Sequence, residues 1–169
     1  MSVNAESVKL IGDEFGERIL NTVETAGRWT VEIAGSDVLP ILQYLHDAAG
    51  FDYLADLTAI DYLMMPIDTP ERFGVIYVLR QINSDDLLIV KAWINGDNPE
   101  VDSATAIWRA ADWLEREVFD MFGITFRDHP NLIRILMPED FDAYPLRKDF
   151  PVAGVGYRDD FRIIDRDDA

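Results

Sequence analysis

Residues 113–151 read WLEREVFDMFGITFRDHPNLIRILMPEDFDAYPLRKDFP, a charged helical half followed by a proline-rich half. The helical half ends at Gly123, a residue type common just after helix C-termini. Charged and bulky apolar side chains are mixed closely before it: the charged ones are Glu115, Arg116, Glu117 and Asp120, and the apolar ones are Leu114, Val118, Met121 and Phe122. A solvated helix face seldom mixes the two so closely, so this helix is predicted to engage another element or another protein.

The charges of this helix are spaced to pair. Asp112 and Arg116, and then Arg116 and Asp120, lie four residues apart, which brings opposite charges together on a helix surface. Glu117 lies beside the apolar stripe, and burying it would require a charged or hydrogen-bonded partner. The carboxylates could serve acid–base chemistry or metal binding. A structural ion-pair network that joins the helix to the following segment is the favoured interpretation.

The second half is predicted to be an extended arm. Prolines recur in it every six to eight residues, at Pro130, Pro138, Pro145 and Pro151. Proline removes a backbone donor and keeps the preceding residue extended, so only residues 132–137 could form a turn of helix. Such a segment cannot supply its own core. We therefore predict an α+β globular domain over residues 1–128 and an extended C-terminal arm over residues 129–169.

The arm has one basic motif in a strongly acidic chain. The formal net charge is −17, which disfavours binding to nucleic acid or to an anionic membrane surface. Arg147 and Lys148 lie in the motif PLRKDFP. An arginine in a proline-fixed segment loses little entropy on docking, so Arg147 is predicted to anchor the arm on acids of this chain or of a partner.

Outward from this stretch, the pattern predicts a two-layer α+β fold with a mixed or antiparallel sheet covered by helices. Strands are predicted at residues 17–24, 29–33, 51–62, 73–79 and 87–94. The last two form a hairpin across the turn at 83–86, and the mostly apolar run at 51–62 indicates an inner strand. Helices are predicted up to Phe15, between Asp37 and Ala49, and from a Ser103 cap to Phe122.

Several classes of site are excluded by residue types. The sequence contains no cysteine, which excludes disulfides, thiol catalysis and cysteine-ligated zinc or iron–sulfur clusters on this chain. It contains no phosphate-binding or dinucleotide-binding glycine loop and no GxSxG motif. No signal peptide and no apolar run of membrane-spanning length are expected.

One enzymatic alternative stays open after these exclusions. Glu117, Asp120 and His129 could together hold a metal ion in a stand-alone hydrolase. No HExxH-type spacing accompanies them, so a histidine that braces the turn after the helix is the simpler interpretation of His129.

The ordered residues of this stretch resemble a known family. Glu115 to Ile124, then His129-Pro130, then Arg134-Ile135-Leu136, then Pro145-Leu146-Arg147-Lys148-Asp149-Phe150 closely resemble the C subunit, or 30 kDa subunit, family of the proton-translocating NADH:quinone oxidoreductase (respiratory complex I). Residues 56–62, 73–77 and 90–92 also match where the family has its sheet. Ile133 departs from the pattern, because relatives often have a second arginine there.

The resemblance implies a peripheral-arm subunit on the cytoplasmic side of a prokaryotic inner membrane. In the family, FMN, iron–sulfur clusters and quinone are bound by other subunits, so no catalytic, cofactor or metal residues are expected on this chain. The implied partners are the D subunit, which is the large quinone-site subunit, and also the B and I subunits. Membrane contact would come only through the complex.

The resemblance also implies a set of signature and partner-interface residues. These are Glu115, Arg116, Glu117, Asp120, Gly123, His129, Pro130, Arg134, Pro145, Leu146, Arg147, Lys148 and Asp149. An alternative within the family is the equivalent subunit of a ferredoxin-dependent complex or of an energy-converting hydrogenase.

Overall fold

The computed structural model describes residues 3–84 and 86–154, and for residues 3–6 it describes the backbone alone. The α-helices of the described chain are α1 (Val3–Phe15), α2 (Val38–Asp47) and α3 (Ala111–Phe122). Its strands are β1 (Ile19–Thr25), β2 (Arg28–Ala34), β3 (Tyr53–Asp61), β4 (Phe73–Arg80), β5 (Leu87–Ile94), β6 (Glu100–Asp102) and β7 (Thr125–Arg127).

The main sheet has five strands in the order β1-β2-β5-β4-β3. Strands β2 and β5 are parallel, and the other neighbouring pairs are antiparallel. The hairpin predicted between β4 and β5 is present, with Phe73 opposite Ile94 and Arg80 opposite Leu87. The α+β class with a mixed sheet is confirmed.

Apolar and polar side chains alternate along the strands, so one face of the sheet is apolar and forms the core. Val31, Val90, Tyr77 and Leu57 lie in register across four strands, and each is buried. The same core contains helix side chains, among them Ile11 of α1, Leu42 of α2 and Val118 of α3. The helices and this face therefore form the two layers.

Strand β3 is at the edge of the sheet, which corrects the prediction of an inner strand. Its side chains alternate after an irregularity in register between Leu54 and Asp56: Leu57 and Ala59 are buried, whereas Thr58 is exposed. A strand buried on both faces would be apolar at consecutive positions. The apolar content of this segment instead reflects one buried face, which α3 packs against.

Helix α3 begins at Ala111, eight residues after the predicted Ser103 cap. The hydroxyl of Ser103 hydrogen-bonds Glu115 instead, and the amides of Ile107 and Trp108 both donate to Ala104 in a tight turn. Residues 100–102, which the sequence did not predict as a strand, form β6, which pairs in parallel with β7 after α3. These two three-residue strands close a loop around the helix and are too short to show a period in the sequence.

The arm contacts α3 between His129 and Arg147 and then reaches the end of β3 at Lys148. Its segment 132–137 contains no helical turn, which corrects that prediction, because three consecutive amides there bind a carboxylate of α3. Residues 155–169 of the predicted arm lie outside the described residues.

Candidate functional site

The C-terminal end of α3 is closed by the arm. Gly123 has a φ of 69°, the left-handed conformation that glycine adopts most easily after a helix. A Cβ atom at this position would lie 2.5 Å from Cε2 of Tyr144 and 2.7 Å from Nη2 of Arg147. Glycine is therefore required twice, once by the backbone conformation and once by the close approach of the arm.

Arg147 caps this end. Its Nε donates to the carbonyl of Phe122, and its Nη2 lies 3.4 Å from the carbonyl of Gly123. Its guanidinium also stacks near the rings of Tyr144 and Phe73. The last carbonyls of a helix carry partial negative charge, so a cation is stabilising here. In the described chain Arg147 therefore contacts backbone carbonyls and aromatic rings instead of the acids predicted as its partners.

Asp120 is the centre of the contact between α3 and the arm. Its buried Oδ1 accepts from Nη1 of Arg134 at 2.6 Å. Its Oδ2 accepts from the consecutive amides of Ile135, Leu136 and Met137 at 3.0, 2.7 and 2.9 Å. Burial alone would raise the pKa of this carboxyl, but the amide and guanidinium donors outweigh burial and hold it below its ordinary value.

A second buried carboxylate, Asp61 at the end of β3, fixes the far part of the arm. Arg72 donates to both of its oxygens, at 3.0 and 2.8 Å, and the amide of Lys148 donates to Oδ2 at 2.9 Å. Arg72 also bridges to Asp149 at 3.0 Å. Burial acts to raise the pKa of Asp61, and the bonds from Arg72, Lys148 and Leu63 lower it overall.

Pro145 and Leu146 complete the attachment. The amide of Leu146 donates to the carbonyl of Met121 at 3.1 Å, and Pro145, which has no amide hydrogen, precedes it. The side chain of Lys148 is exposed and makes no hydrogen bond or ion pair with a described residue.

The third buried carboxylate, Glu115, has no cation among the described residues. Its oxygens accept from the Ser103 hydroxyl and the Ala104 amide, both at 2.6 Å. Burial is the largest influence on this carboxyl and raises its pKa from 4.5 to about 7, and the charge of Asp112 acts in the same direction. The Tyr77 hydroxyl is buried without a partner in the described chain. Burial, and then the charge of Glu115, raise the pKa of this hydroxyl.

His129 braces the turn after α3, as the simpler interpretation predicted. Its Nδ1 accepts from the amide of Asn131 at 3.0 Å, which leaves the hydrogen on Nε2. That atom lies 3.1 Å from the carbonyl oxygen of Asp112 and donates to it. Pro130 follows within this turn and fixes its direction.

The pairs predicted along the helix are not formed. Arg116 donates to the carbonyl of Ile133 at 3.1 Å and stacks over Trp113, so it is paired with neither Asp112 nor Asp120. Asp120 is buried and turned toward Arg134. Glu117 is exposed although it lies beside the apolar stripe, so it does not need the partner that burial would require, and it has no hydrogen bond or ion pair with a described residue.

The metal set of the hydrolase hypothesis is not assembled. Glu117 is on the surface, Asp120 is occupied by four donors, and both ring nitrogens of His129 are used by the backbone. Among residues 3–84 and 86–154, no three histidine or carboxylate side chains are grouped as metal ligands.

Three participants were missed from the sequence: Asp61, Arg72 and Ser103. A signal existed for Asp61, because it continues the buried positions Leu57 and Ala59 of β3 with a carboxylate. A charged residue at a core position of an alternating strand indicates a paired, buried group. No pattern pointed to Arg72 or Ser103.

Helix α3 and the arm carry several large apolar side chains that are exposed. We call these side chains together the α3–arm surface: Trp113, Ile133, Leu136 and Leu146. The same two segments carry exposed acids that pair with no described residue: Glu117, Glu139, Asp140 and Asp142. No helix of the described chain is long and apolar enough to cross a membrane.

Comparison with known proteins places the chain in one family. The family described as the 30 kDa subunit of the respiratory-chain NADH dehydrogenase matches residues 31–155. The C subunit of the NADH-quinone oxidoreductase of Citrifermentans bemidjiense is 42% identical over 154 residues, covering 91% of this chain and 93% of its own. That of Trichlorobacter lovleyi is 39% identical over 156 residues, covering 92% and 94%.

Solved structures give the same fold. A trypsin-resistant fragment (1-134) of Nqo5 superposes with a TM-score of 0.67 at 28% identity, over 75% of this chain and 99% of its own. A chain of an archaeal membrane-bound sulfane sulfur reductase superposes with a TM-score of 0.72 at 22% identity, over 88% and 85%, which shows likeness of fold alone. The chain therefore belongs to the family of the 30 kDa subunit, also called the C subunit, of the respiratory-chain NADH dehydrogenase, complex I.

Proposed function

We propose that this chain is a structural subunit of NADH:quinone oxidoreductase that holds no redox centre and docks on the D subunit, the large quinone-site subunit. Family membership supports its place in the complex. The absence of cysteine from its sequence removes the usual ligands of iron–sulfur clusters. In this proposal FMN, the iron–sulfur clusters and quinone belong to other subunits, and the chain contributes to assembly and not to electron transfer.

The observation that carries the docking proposal is the α3–arm surface. The arm is fixed to α3 through Asp120 and to the end of β3 through Asp61, so its exposed side chains stand on a rigid base. Trp113 of α3 and Leu136 of the arm are 63% and 60% exposed. Large apolar side chains that remain exposed on a well-packed element mark an interaction site, because burying them in a partner is favourable.

We assign the two predicted parts different roles. In this proposal residues 1–128 carry the globular role and the described part of the arm, residues 129–154, contacts the D subunit; residues 155–169 lie outside the described residues. The B and I subunits are the neighbours expected beside it, and the chain reaches the membrane only through the complex, on the cytoplasmic side. The unpaired acids at Glu117, Glu139, Asp140 and Asp142 call for a basic rim on the partner.

Site-specific photo-crosslinking in native membranes tests this proposal. A photoreactive amino acid at Leu136 should crosslink to the D subunit, identified by mass spectrometry after purification in mild detergent. The matched control is Ile82, which is 69% exposed in the turn between β4 and β5. Crosslinks to the D subunit from position 82 and not from 136 would overturn the assigned surface.

The composition of the purified complex tests the functional assignment. Flavin-bearing NADH-binding subunits should co-purify with the tagged chain. Hydrogenase-type subunits in their place would assign the chain to the related hydrogenase complexes. A free monomer after mild solubilisation would contradict a role within any complex.

A further inference from the structure

The buried carboxylates of the described chain differ in one respect. Asp61 is paired with Arg72, and Asp120 is paired with Arg134. Glu115 is fully buried and accepts only a hydroxyl and an amide hydrogen bond. A carboxylate that loses its water without gaining a cation is stabilised by binding a proton.

The charged groups around Glu115 in the described chain do not supply a cation. Asp112 on α3 acts on it as a like charge, and Asp102 on β6 acts with it on the buried hydroxyl of Tyr77. The nearby basic side chains are already engaged: Arg127 pairs with Asp102 at 2.7 Å, and His129 contacts Asp112. The surroundings of Glu115 are therefore neutral to negative.

A hydroxyl chain leads from Glu115 toward solvent. Oε2 of Glu115 lies 2.6 Å from Oγ of Ser103, which lies 2.8 Å from Oγ1 of Thr105. Ser103 is buried and Thr105 is partly exposed. A hydroxyl can donate in either direction, so each of these bonds persists whether the carboxyl is protonated or ionised.

We propose that Glu115 binds a proton inside the folded chain, exchanges it with solvent through Ser103 and Thr105, and makes the attachment of segment 103–105 to α3 sensitive to pH. When the proton leaves, Ser103 accepts the carboxyl hydrogen and passes its own hydrogen to Thr105, which releases one to water. After this transfer each hydroxyl again carries one hydrogen, and Ser103 accepts a hydrogen bond from Thr105 and donates one to Oε2. The ionised carboxylate stays buried without a cation, so the closed attachment becomes less stable.

The pKa of about 7, raised by burial, sets the working range. Since an opened segment would expose the carboxyl at its ordinary value of 4.5, opening should become more favourable as pH rises between these two values. The opening constant is expected to rise about tenfold per pH unit in this window and to level off above it.

The test is a pair of NMR measurements on the full chain. In protein labelled with ¹³C at glutamate Cδ, the resonance that is missing from Glu115→Gln should titrate in the wild type with a midpoint near 7. In the same wild-type samples, the exchange of the Ala104 amide, corrected for the intrinsic pH dependence of exchange, should show the rising opening constant. A midpoint near 4.5, or a pH-independent opening constant, would overturn the proposal.

Variants separate this proposal from a general effect of pH. Glu115→Gln keeps the shape and both hydrogen bonds, so exchange at Ala104 should lose its pH dependence. Glu117→Gln, an exposed change two residues away on α3, should leave it in place. Equal pH dependence in both variants would contradict the role of Glu115. If Glu115→Gln does not fold, Ser103→Ala is used instead. Its glutamate Cδ resonance with an altered titration midpoint identifies Glu115. If no midpoint changes in Ser103→Ala, the relay through Ser103 is contradicted.

Discussion

At the scale of single residues, Asp120 stabilises the fold more through its charge than through the shape of its side chain. Asparagine has nearly the same shape, but it leaves Arg134 without its carboxylate and weakens three amide bonds. Breaking a buried ion pair from one side costs about 3–5 kcal/mol. We therefore expect Asp120→Asn to lower the free energy of unfolding by about 3 kcal/mol in urea denaturation. Asp142→Asn, an exposed control on the arm, should change it by less than about 0.5 kcal/mol; equal losses would contradict this account of Asp120.

The raised pKa of Glu115 implies that the free energy of unfolding depends on pH. Its folded pKa of about 7 exceeds its ordinary value of 4.5, so the folded chain binds more protons between these values than the unfolded chain. The contribution of this group is fully present below pH 4.5 and is lost as pH rises through 7, a change on the order of 3 kcal/mol. Glu115→Gln should therefore raise the stability at pH 8 relative to wild type and leave it little changed at pH 4. Urea unfolding at pH 4 and at pH 8 measures the free energy of unfolding of both proteins. An equal difference between variant and wild type at the two pH values would contradict this prediction.

The other buried carboxylates act in the opposite direction. Burial raises and their donors lower the pKa values of Asp61 and Asp120, for a net decrease. Their contributions are present above the ordinary carboxyl pKa and are lost as pH falls through the lowered values. The pH at which the chain is most stable therefore reflects both kinds of group, and the Glu115→Gln comparison isolates one of them.

At the scale of elements, Arg147 holds the root of the arm against the end of α3. Removing its side chain leaves the carbonyls of Phe122 and Gly123 without this donor and uncovers the ring of Tyr144. We expect Arg147→Ala to make the Leu146 amide, which donates to the carbonyl of Met121, exchange its hydrogen with solvent several times faster after correction for intrinsic exchange rates. Lys148→Ala is the matched control, since that neighbouring side chain has no partner in the described chain. Similar rates for both variants would mean that Arg147 does not hold the arm.

The sequence predicted elements where one face of a regular pattern is buried. Alternation located β4 and β5 with their hairpin, and Gly123 marked the end of α3. The start of α3 was misplaced, because Ser103 resembles a helix cap while its hydroxyl serves a carboxylate twelve positions later. Strands β6 and β7 depend on pairing between distant segments, which no local pattern contains. The site was predictable to the same degree: the charged helix and the basic arm were identified, whereas their true partners required the fold.

At the scale of the whole molecule, we propose that this acidic chain docks through the exposed apolar side chains of its α3–arm surface. The partner should be basic around an apolar centre, because like charges across an interface are repulsive. The ionic contacts of the arm lie within the chain, so they hold the exposed side chains in place and do not themselves contact the partner. Substitutions at Asp120 should therefore lower the stability of the folded chain. Substitutions at Leu136 should instead weaken its binding to the partner subunit.

The amount of assembled complex in the membranes of a Leu136→Glu strain tests this account most directly. This exposed change should leave the free energy of unfolding of the chain within about 0.5 kcal/mol of wild type. It should lower the assembled complex, quantified on native gels with a Coomassie or immunoblot readout, while the NADH:quinone turnover of each complex that does assemble stays unchanged. Ile82→Glu, similarly exposed at the far end of β4, should assemble normally. Normal assembly with Leu136→Glu, or full assembly with lowered turnover, would contradict a docking role for the α3–arm surface.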